Sequence, residues 1–259
     1  MRKRLGSLKS LILIGAIVIV WAVITLTTDL IRPVFIPSPV DVWNSFTLLL
    51  SDLPRHLLSS IGLTLGGFAI GVIVGIFLGL MMAYSRNFMD VTGPVLEFTR
   101  PIPVFALIPL FLLWFGIGRL PQILLIALGV AAIIGVSTYE AIKNVPLVYI
   151  RAAQNLGSSK MIIFKNVLIP YMFPHLVGAI RVGAALSWGL DVAAEFIGAQ
   201  VGLGYLMIIR QFYLDTAGIF VVVIIYSILA IGLDQIIRKV EEKVNVWTER
   251  SKASFDKLA

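Results

Sequence analysis

Charged residues and cysteine are what this sequence has least of. Asp, Glu, Lys and Arg make up 14% of the 259 residues, and cysteine is absent. Without cysteine there is no disulfide framework, no thiolate chemistry and no cysteine-ligated metal. Since 59% of the residues are hydrophobic and the mean hydropathy is +0.97, too little polar surface remains to solvate a globular domain. The composition therefore excludes a soluble protein and predicts a polytopic membrane protein.

Motifs for catalysis are also missing. The sequence contains no G-x-x-x-x-G-K-[ST] phosphate loop, no H-E-x-x-H pair and no nucleophile elbow. The run Gly157–Lys160 resembles only the end of a phosphate loop, and Gly202-Leu203-Gly204 begins a G-x-G motif without its third glycine. We therefore expect no enzymatic activity in this chain, and any energy for its function has to come from another subunit.

Apolar segments long enough to cross a membrane occur six times, since about 18 to 20 apolar residues are sufficient. The predicted spans are Leu8–Leu26, Leu57–Tyr84, Val91–Phe115, Pro121–Thr138, Pro174–Phe196 and Ala217–Ile237. The first is interpreted as a retained span, because it is too long for a signal-peptide core and no small-x-small cleavage site follows before Asp29. The prediction is an all-α chain with one transmembrane domain over residues 1–259 and a charged tail, Arg238–Ala259.

Glycine and proline distinguish several segments. The second span carries glycines four residues apart, which predicts close approach of another helix. These are Gly62, Gly66, Gly67, Gly71, Gly75 and Gly79. Four prolines interrupt the third span, so its free carbonyls are expected to lie against protein or a wet cavity. Val40–Leu50 is predicted to be a short amphipathic helix, and Val201–Asp215 a short interfacial or re-entrant helix.

The basic residues predict the orientation. With six spans both termini lie on one side, and 16 of the 21 Lys and Arg residues fall on that side. The opposite side has only Arg32, Arg55, Arg119 and Arg210, and Arg181 lies inside the fifth span. By the positive-inside rule both termini are cytoplasmic. The net charge of +7 is then a topology signal, and no nucleic-acid partner is expected. The two histidines, His56 and His175, fall on opposite sides, which excludes a histidine pair for zinc.

A polar, basic segment, Tyr149–Pro170, separates the fourth and fifth spans on the cytoplasmic side. Pro146 suits a first helical turn, and Gly157 suits the C′ position that ends a helix. Ser158 or Ser159 is expected to cap a second helix that Pro170 ends. The alternative is a plain connecting loop, but connectors need only about 2 to 8 residues. The segment therefore predicts two short helices that meet at a glycine bend and form a docking surface.

This segment resembles a known family. Ala152-Ala153-x-x-x-Gly157, followed by Val167-Leu168-Ile169-Pro170, resembles the EAA loop of permease subunits of bacterial ABC importers with the type I fold. Further blocks resemble the sulfonate, taurine and nitrate permease branch. They are Phe35–Pro39 with Trp43, Arg100–Pro103, Leu113–Gly118, Ala194–Ala199 and Gly202–Tyr205.

The resemblance implies a function for residues 146–170. In this family the loop's short helix docks into a groove of the ATP-hydrolysing subunit and couples the two proteins. The corresponding residues are Arg151, Ala152, Ala153, Leu156, Gly157, Ser158, Phe164 and Pro170. Arg151 departs from the family, which usually has Glu there, and this sign reversal suggests a matched acidic residue on the ATPase.

The resemblance also implies the partners. The chain is expected to form a homodimer around a central pathway in the bacterial inner membrane, surrounded by lipid. A solute-binding protein would deliver a small solute, such as a sulfonate, taurine or nitrate, at the outer face. ATP and Mg would bind the partner ATPase, and this chain itself would bind no cofactor or metal. Alternating access, driven by ATP, would import the solute.

Five residues of the fifth span are candidates for the pathway: Arg181, Ser187, Trp188, Asp191 and Glu195. The three charged ones are expected to face the bundle interior, because a charge at mid-membrane costs about 2.5–3.5 kcal/mol. Arg181 and Asp191 are about 15 Å apart along a helix axis and are not partners. Glu195 shares the face of Asp191, and we favour a role in capping the re-entrant segment over substrate contact. Asp191 is the better candidate for substrate specificity.

The alternative function is an ion-coupled secondary transporter or channel, in which a charged residue within a span would be the coupling site. A purely structural scaffold is disfavoured, because a proline-broken span exposed to lipid is costly. An ATPase of separate sequence that copurifies with the chain would separate the ABC importer from the ion-coupled transporter.

Overall fold

The computed structural model describes residues 2–28, 32–99 and 102–244, with side chains from residue 12 to residue 242 within these ranges. This part of the chain is helical and contains no strand. The helices are α1 (Arg2–Thr27), α2 (Pro39–Leu49), α3 (Leu53–Tyr84), α4 (Arg86–Thr99), α5 (Ile108–Phe115), α6 (Arg119–Lys143), α7 (Leu147–Asn155), α8 (Lys160–Ile163), α9 (Ile169–Gly198), α10 (Leu203–Phe212) and α11 (Thr216–Val244).

Four helices in the described part of the chain are long and apolar enough to cross a membrane. They are α3, α6, α11 and the continuous helix Lys160–Gly198. A fifth span results if α4 and the segment Val104–Phe115 are counted as one bent span, and α1 contributes a shorter apolar helix, Ile12–Thr27. These elements overlap all six predicted spans, although four, or five with the bent pair, qualify as spans by length and composition among the described residues. The side chains of Arg2, Lys3, Arg4 and Lys9, the pair Arg100 and Pro101, and tail residues 245–259 lie outside the described residues.

Four glycines of α3 form a seam against α6, as their spacing predicted: Gly67, Gly71, Gly75 and Gly79. A Cβ atom built on Gly71 would lie 2.6 Å from Val130 Cβ, and one on Gly75 would lie 2.7 Å from Ile134 Cβ. Backbone oxygens of α6 are equally close, with the Ala131 oxygen 2.8 Å from the Gly75 position. Only glycine permits this approach. The two helices therefore pack backbone to backbone as one unit.

Helix α9 packs on the other side of this pair. Leu190 of α9 joins a cluster of side chains from α3 and α6 that have almost no solvent exposure. Its fully buried members are Leu63, Ile126, Val130 and Ile134. A second cluster joins α2, α10 and α11, and it includes Val42, Leu206 and Val222. The bundle therefore has a central layer of α3, α6 and α9, with α2, α10 and α11 packed beside it.

The third predicted span forms two helices. α4 contains Pro94, and α5 has Pro109 in its first turn, where the missing N–H has no helical partner to lose. Between them lies a 3₁₀ turn, Val104–Leu107, which follows Pro103. Ile108 of α5 is buried against α6 and α9. One face of α5 therefore lies against protein, and the opposite face, with Leu113 and Trp114, is exposed.

The prediction that Pro170 ends the second helix of the hairpin is wrong. A π-helical turn, Phe164–Leu168, joins α8 to α9 without interruption. In this wider turn the Ile169 N–H donates to the Phe164 carbonyl, five residues back. Pro170 then falls in the first turn of α9. Because the widened turn changes the local hydrogen-bond ladder, a proline can be accommodated inside one long helix.

Candidate functional site

The hairpin between α6 and α9 bends at Gly157, as predicted. The Gly157 N–H donates to the Gln154 oxygen at 2.9 Å, and the Ser158 N–H donates to the Ala153 oxygen at 3.0 Å. This pair of bonds is the Schellman motif, and Gly157 takes the left-handed conformation that it needs, with φ of +76°. Ser159, and not Ser158, is the residue before α8, and its side chain makes no capping bond. The bend therefore depends on glycine.

Helix α7 exposes apolar side chains. Leu147 and Val148 are each more than 60% exposed, and Leu156 at its end is 85% exposed. Arg151 lies on the same short helix and is also exposed. Such an apolar surface with one cation has the character of a protein docking surface.

Helix α8 is attached to the end of α3. Lys160 Nζ donates to the Tyr84 carbonyl at 3.1 Å and lies 4.9 Å from the Tyr84 ring centroid. The Phe164 ring packs edge-on against the same tyrosine at 5.1 Å. The hairpin is thus held by α3 through Tyr84 and is continuous with α9 through the π turn.

The eight predicted coupling residues lie in three places. Arg151, Ala152 and Ala153 are on α7, and Leu156, Gly157 and Ser158 form the bend. These six share the outer end of the hairpin. Phe164 is half-buried against Tyr84, and Pro170 lies in the first turn of α9. Six of the predicted residues therefore lie on α7 and at the bend, and two lie where the hairpin continues into α9.

A second group of polar side chains lies inside the bundle. Asp191 and Glu195 of α9 have no solvent exposure, as expected for carboxyl groups that face the interior. The Tyr226 hydroxyl of α11 donates to Asp191 Oδ2 at 3.0 Å and lies 3.4 Å from Glu195 Oε2. We call Asp191, Glu195, Tyr226 and Ser60 the carboxyl cluster. It joins helices α3, α9 and α11.

Glu195 accepts hydrogen bonds from two other elements. The Ser60 hydroxyl of α3 donates to its Oε1 at 2.8 Å, and the Gly204 N–H donates to its Oε2 at 2.7 Å. Gly204 is in the first turn of α10, where a carboxylate is favoured by the unpaired N–H groups and the helix dipole. The geometry is that of a cap on α10, the role that we favoured for Glu195.

Asp191 is buried together with two other polar side chains that lack a hydrogen-bond partner in the described part of the chain. Its Oδ1, the Thr64 hydroxyl and the Trp188 Nε1 are buried without a hydrogen-bond partner among the described residues. The Trp188 ring packs edge-on against Tyr226 at 6.0 Å. Asp191, Glu195 and Trp188, the expected pathway candidates, are all buried within the bundle.

The other two pathway candidates lie apart from this cluster. The Ser187 hydroxyl donates to the Ala184 carbonyl of its own helix at 2.7 Å. Arg181 was expected in the bundle interior, but its side chain is 40% exposed and forms a two-point ion pair with Asp234 of α11, at 2.7 and 3.0 Å. Glu241 is 3.8 Å away. Because a charge within a span needs a counter-charge, Arg181 is satisfied by α11 at the protein surface.

Sequence reasoning missed the partners of these side chains. Ser60, Tyr226 and Asp234 were not predicted, since each looked like an isolated polar residue in an apolar helix. One signal was present. Ser60 and Thr64 are four residues apart, on one face of α3. Among the described residues no three His, Asp or Glu side chains converge as a metal site.

The chain is similar to known transport proteins over most of its length. The family model described as "Binding-protein-dependent transport system inner membrane component" matches residues 71–246. The taurine transport system permease protein TauC of Escherichia coli (strain K12) is 34% identical, over 88% of this chain and 84% of the relative. The putative aliphatic sulfonates transport permease protein SsuC of Bacillus subtilis (strain 168) is 29% identical, over 95% and 90%.

A solved structure has the same fold. The crystal structure of an amino acid ABC transporter with histidines aligns with a TM-score of 0.64 at 19% identity, and covers 76% of this chain and 98% of that one. At this identity the likeness concerns the fold alone. The all-helical fold is therefore shared with that chain.

Proposed function

Because this chain belongs to the family of binding-protein-dependent transport system inner membrane components, we propose that its α7–α8 hairpin is the surface through which a separate ATPase drives transport. The chain is the membrane-spanning permease subunit of an ABC importer. It is a non-catalytic subunit. The ATP and Mg that supply the energy would bind the partner ATPase.

One observation carries this proposal: an exposed apolar helix, α7, is connected through α8 to the transmembrane bundle. α7 exposes Leu147, Val148 and Leu156, while α8 is tied to the end of α3 by Lys160. A groove on the ATPase would bury these apolar side chains. Arg151, exposed on the same helix, would meet an acidic residue of that groove.

The contacts of the hairpin with α9 and α3 suggest how its movement would be transmitted to the transmembrane helices. α8 continues into α9 through the π turn, so a pull on the hairpin acts along the axis of α9. The contact with Tyr84 passes the same pull to α3, and the glycine seam makes α6 follow α3. Closure of two ATPase subunits on ATP would thus move α3, α6 and α9 together. This is the movement that alternating access requires.

The remaining partners belong to the same proposal. Two copies of the chain would enclose the pathway, and a solute-binding protein would dock at the outer face. The protein is a multi-pass protein of the bacterial inner membrane, and both termini would be cytoplasmic, as the bias of Lys and Arg indicates. Lipid would cover the exposed apolar faces of the helices.

The proposed solutes are small sulfonates, including taurine. Two relatives that match over most of their length are named for taurine and for aliphatic sulfonates. Nitrate is a further candidate from the sequence resemblance. Specificity would rest largely on the separate binding protein, and the identity of the neighbouring genes would narrow the choice.

The coupling role is tested by Gly157→Trp. No atom lies within 4 Å of the position that a Cβ on Gly157 would take, so the indole would project from the bend into the docking surface. We expect normal membrane insertion and at least about tenfold slower uptake, since loss of one well-packed contact of roughly 1.4 kcal/mol or more has that effect. The measurements are uptake of labelled taurine and ATP hydrolysis by the copurified ATPase in liposomes.

Gly157→Asn is the matched control. Asn tolerates the left-handed conformation and projects much less from the bend, so uptake close to that of the unaltered protein is expected. Wild-type uptake in Gly157→Trp would disprove the coupling role of the bend. Purification of the chain without any ATPase, together with uptake driven by an ion gradient, would disprove the importer mechanism as a whole.

A further inference from the structure

At the end of the bundle opposite the hairpin, an open pocket of about 520 Å³ lies between the beginnings of α3 and α6 and the turn that precedes α10. It is lined by Arg55, Leu58, Ser59, Arg119, Gln200 and Val201. We call it the arginine pocket. It contains two guanidinium groups and no carboxylate. Its lining therefore has a net positive charge.

The positions of both arginines are unusual in two respects: the side of the membrane and the end of the helix. The positive-inside bias leaves only four arginines on the predicted outer side, and two of them line this one pocket. Each also lies in the first turn of its helix, Arg55 as the third residue of α3 and Arg119 as the first of α6. Helix N-termini disfavour cations, because the helix dipole is positive there. The helix dipole does not stabilise an arginine at this position, which indicates a role other than helix stability.

Neither arginine is neutralised by the rest of the described chain. The ion pairs of the described residues involve Arg181, Arg210 and Arg238, and not Arg55 or Arg119. Asp52 precedes α3 but does not line the pocket, and neither helix has an acidic residue in its first turn. The two guanidinium groups, without a carboxylate in the lining, therefore favour an anion.

Contacts between separate segments hold the walls of the pocket in place. Arg119 Nη2 lies 3.5 Å from the Ser59 carbonyl, and a Cβ on Gly62 would approach that nitrogen to 3.1 Å. Alanine at position 62 would make this nitrogen shift by only a few tenths of an ångström. The opposite wall is also fixed, because the Ser59 hydroxyl donates to the Val201 carbonyl at 3.4 Å and the Gly202 N–H donates to His56 Nδ1 at 3.0 Å.

The carboxyl cluster supports the same wall from inside. Glu195 holds the first turn of α10, and Gly202, next to the pocket residue Val201, leaves room for this carboxylate. The network that fixes the α9–α10 turn thereby fixes Gln200 and Val201. A positive pocket above a rigid floor can receive an anion without large rearrangement.

We propose that the arginine pocket is a receiving site for the sulfonate group of the solute at the outer mouth of the permease. This inference rests on the proposed function, which supplies a sulfonate as cargo. The weakly hydrated guanidinium forks of Arg55 and Arg119 match the oxygens of a sulfonate or another small oxyanion. Both side chains are exposed, so binding is weak and the anion can leave again. A site through which the solute passes has to bind the anion and also release it.

Trifluoromethanesulfonate is a suitable probe, because its fluorine signal reports binding directly. The permease–ATPase complex in lipid nanodiscs, without the binding protein, is titrated with this anion and followed by ¹⁹F NMR. We expect line broadening that ethanesulfonate reverses. Arg55→Gln and Arg119→Gln should each weaken binding about tenfold, as for loss of one charge-assisted contact. Arg32→Gln, at an outer arginine outside the pocket, is the matched control and should bind normally.

The outcomes separate the two proposals. Equal broadening in the unaltered complex and in the Arg55→Gln/Arg119→Gln double variant would overturn the anion site, even if taurine is imported. Arginine-dependent binding without uptake of any sulfonate would leave the anion site standing and contradict the proposed cargo. Slower uptake in the double variant with unchanged anion binding would assign the arginines to docking of the binding protein, and would also overturn the site.

Discussion

At the scale of single residues, the role of a buried carboxyl group depends on which groups of other helices form hydrogen bonds with it. Glu195 and Asp191 are four residues apart on one face of α9 and look alike in the sequence. Glu195 accepts bonds from Ser60 and Gly204, whereas Asp191 keeps one carboxyl oxygen without a partner among the described residues. Glu195 is thus a support for α10. Asp191 is the less satisfied of the two.

Glu195→Ala should destabilise the protein by about 2–4 kcal/mol, because buried donors that lose their acceptor cost about 1–3 kcal/mol each. The Ser60 hydroxyl and the Gly204 N–H would lose this acceptor. The measurement is the midpoint of thermal unfolding in detergent. Glu195→Gln keeps an acceptor oxygen and should lose less than half as much. Glu97→Ala, at an exposed position, is the control, and equal midpoints for the two alanine variants would contradict the capping role.

At the scale of helices, two features explain how the bundle is held. The glycine seam brings α3 and α6 together, and the π turn makes one helix of α8 and α9. The four-residue glycine spacing was visible in the sequence and predicted the seam. It did not identify the partner helix. The π turn was not predicted, because Pro170 taken alone indicates a helix end.

The seam predicts opposite effects for two glycines of the same helix. In Gly75→Ala the new Cβ would lie 2.7 Å from Ile134 Cβ and 2.8 Å from a backbone oxygen of α6, so the helices must separate. We expect a loss of about 1–3 kcal/mol, typical of overpacking. In Gly66→Ala nothing lies within 4 Å, and alanine should be neutral or stabilise by up to about 1 kcal/mol through its higher helix propensity. Thermal unfolding of both variants in the same detergent measures the difference. A destabilised Gly66→Ala or an unaffected Gly75→Ala would contradict the seam.

At the scale of the whole molecule, the two ends of the bundle differ in chemistry. One end has the α7–α8 hairpin, with its exposed apolar side chains and Arg151. The other has the arginine pocket, whose floor is held by Glu195. The long helices α3, α6 and α9 connect them. The molecule thus has a surface suited to a protein partner at one end and a surface suited to a small anion at the other.

The absence of cysteine allows a direct test of orientation. Ile117 is 76% exposed in the turn between α5 and α6, and Asn155 is exposed at the end of α7. In intact cells a membrane-impermeant maleimide should label Ile117→Cys, and it should label Asn155→Cys only after the membrane is permeabilised. The cysteine-free chain is the blank. Labelling in the reverse order would contradict cytoplasmic termini.

The sequence by itself determined the class, the helical segments, the glycine bend and the family. The class, the helical segments and the bend follow from composition, from periodicity and from local backbone preferences, all of which act over short stretches of chain. The family follows from the resemblance of the motifs. Gly157 illustrates this, since its left-handed conformation ends α7 whatever lies around it.

Only the tertiary structure decided what the isolated polar side chains do. Arg181 finds Asp234, Glu195 finds Ser60 and Gly204, and Arg119 lies near Ser59 because distant segments meet. The physical reason is that a buried or membrane-embedded polar group must be satisfied, but its partner can come from any element that packs against it. Pairing of this kind depends on the packing of whole helices, and the sequence around each residue does not contain it.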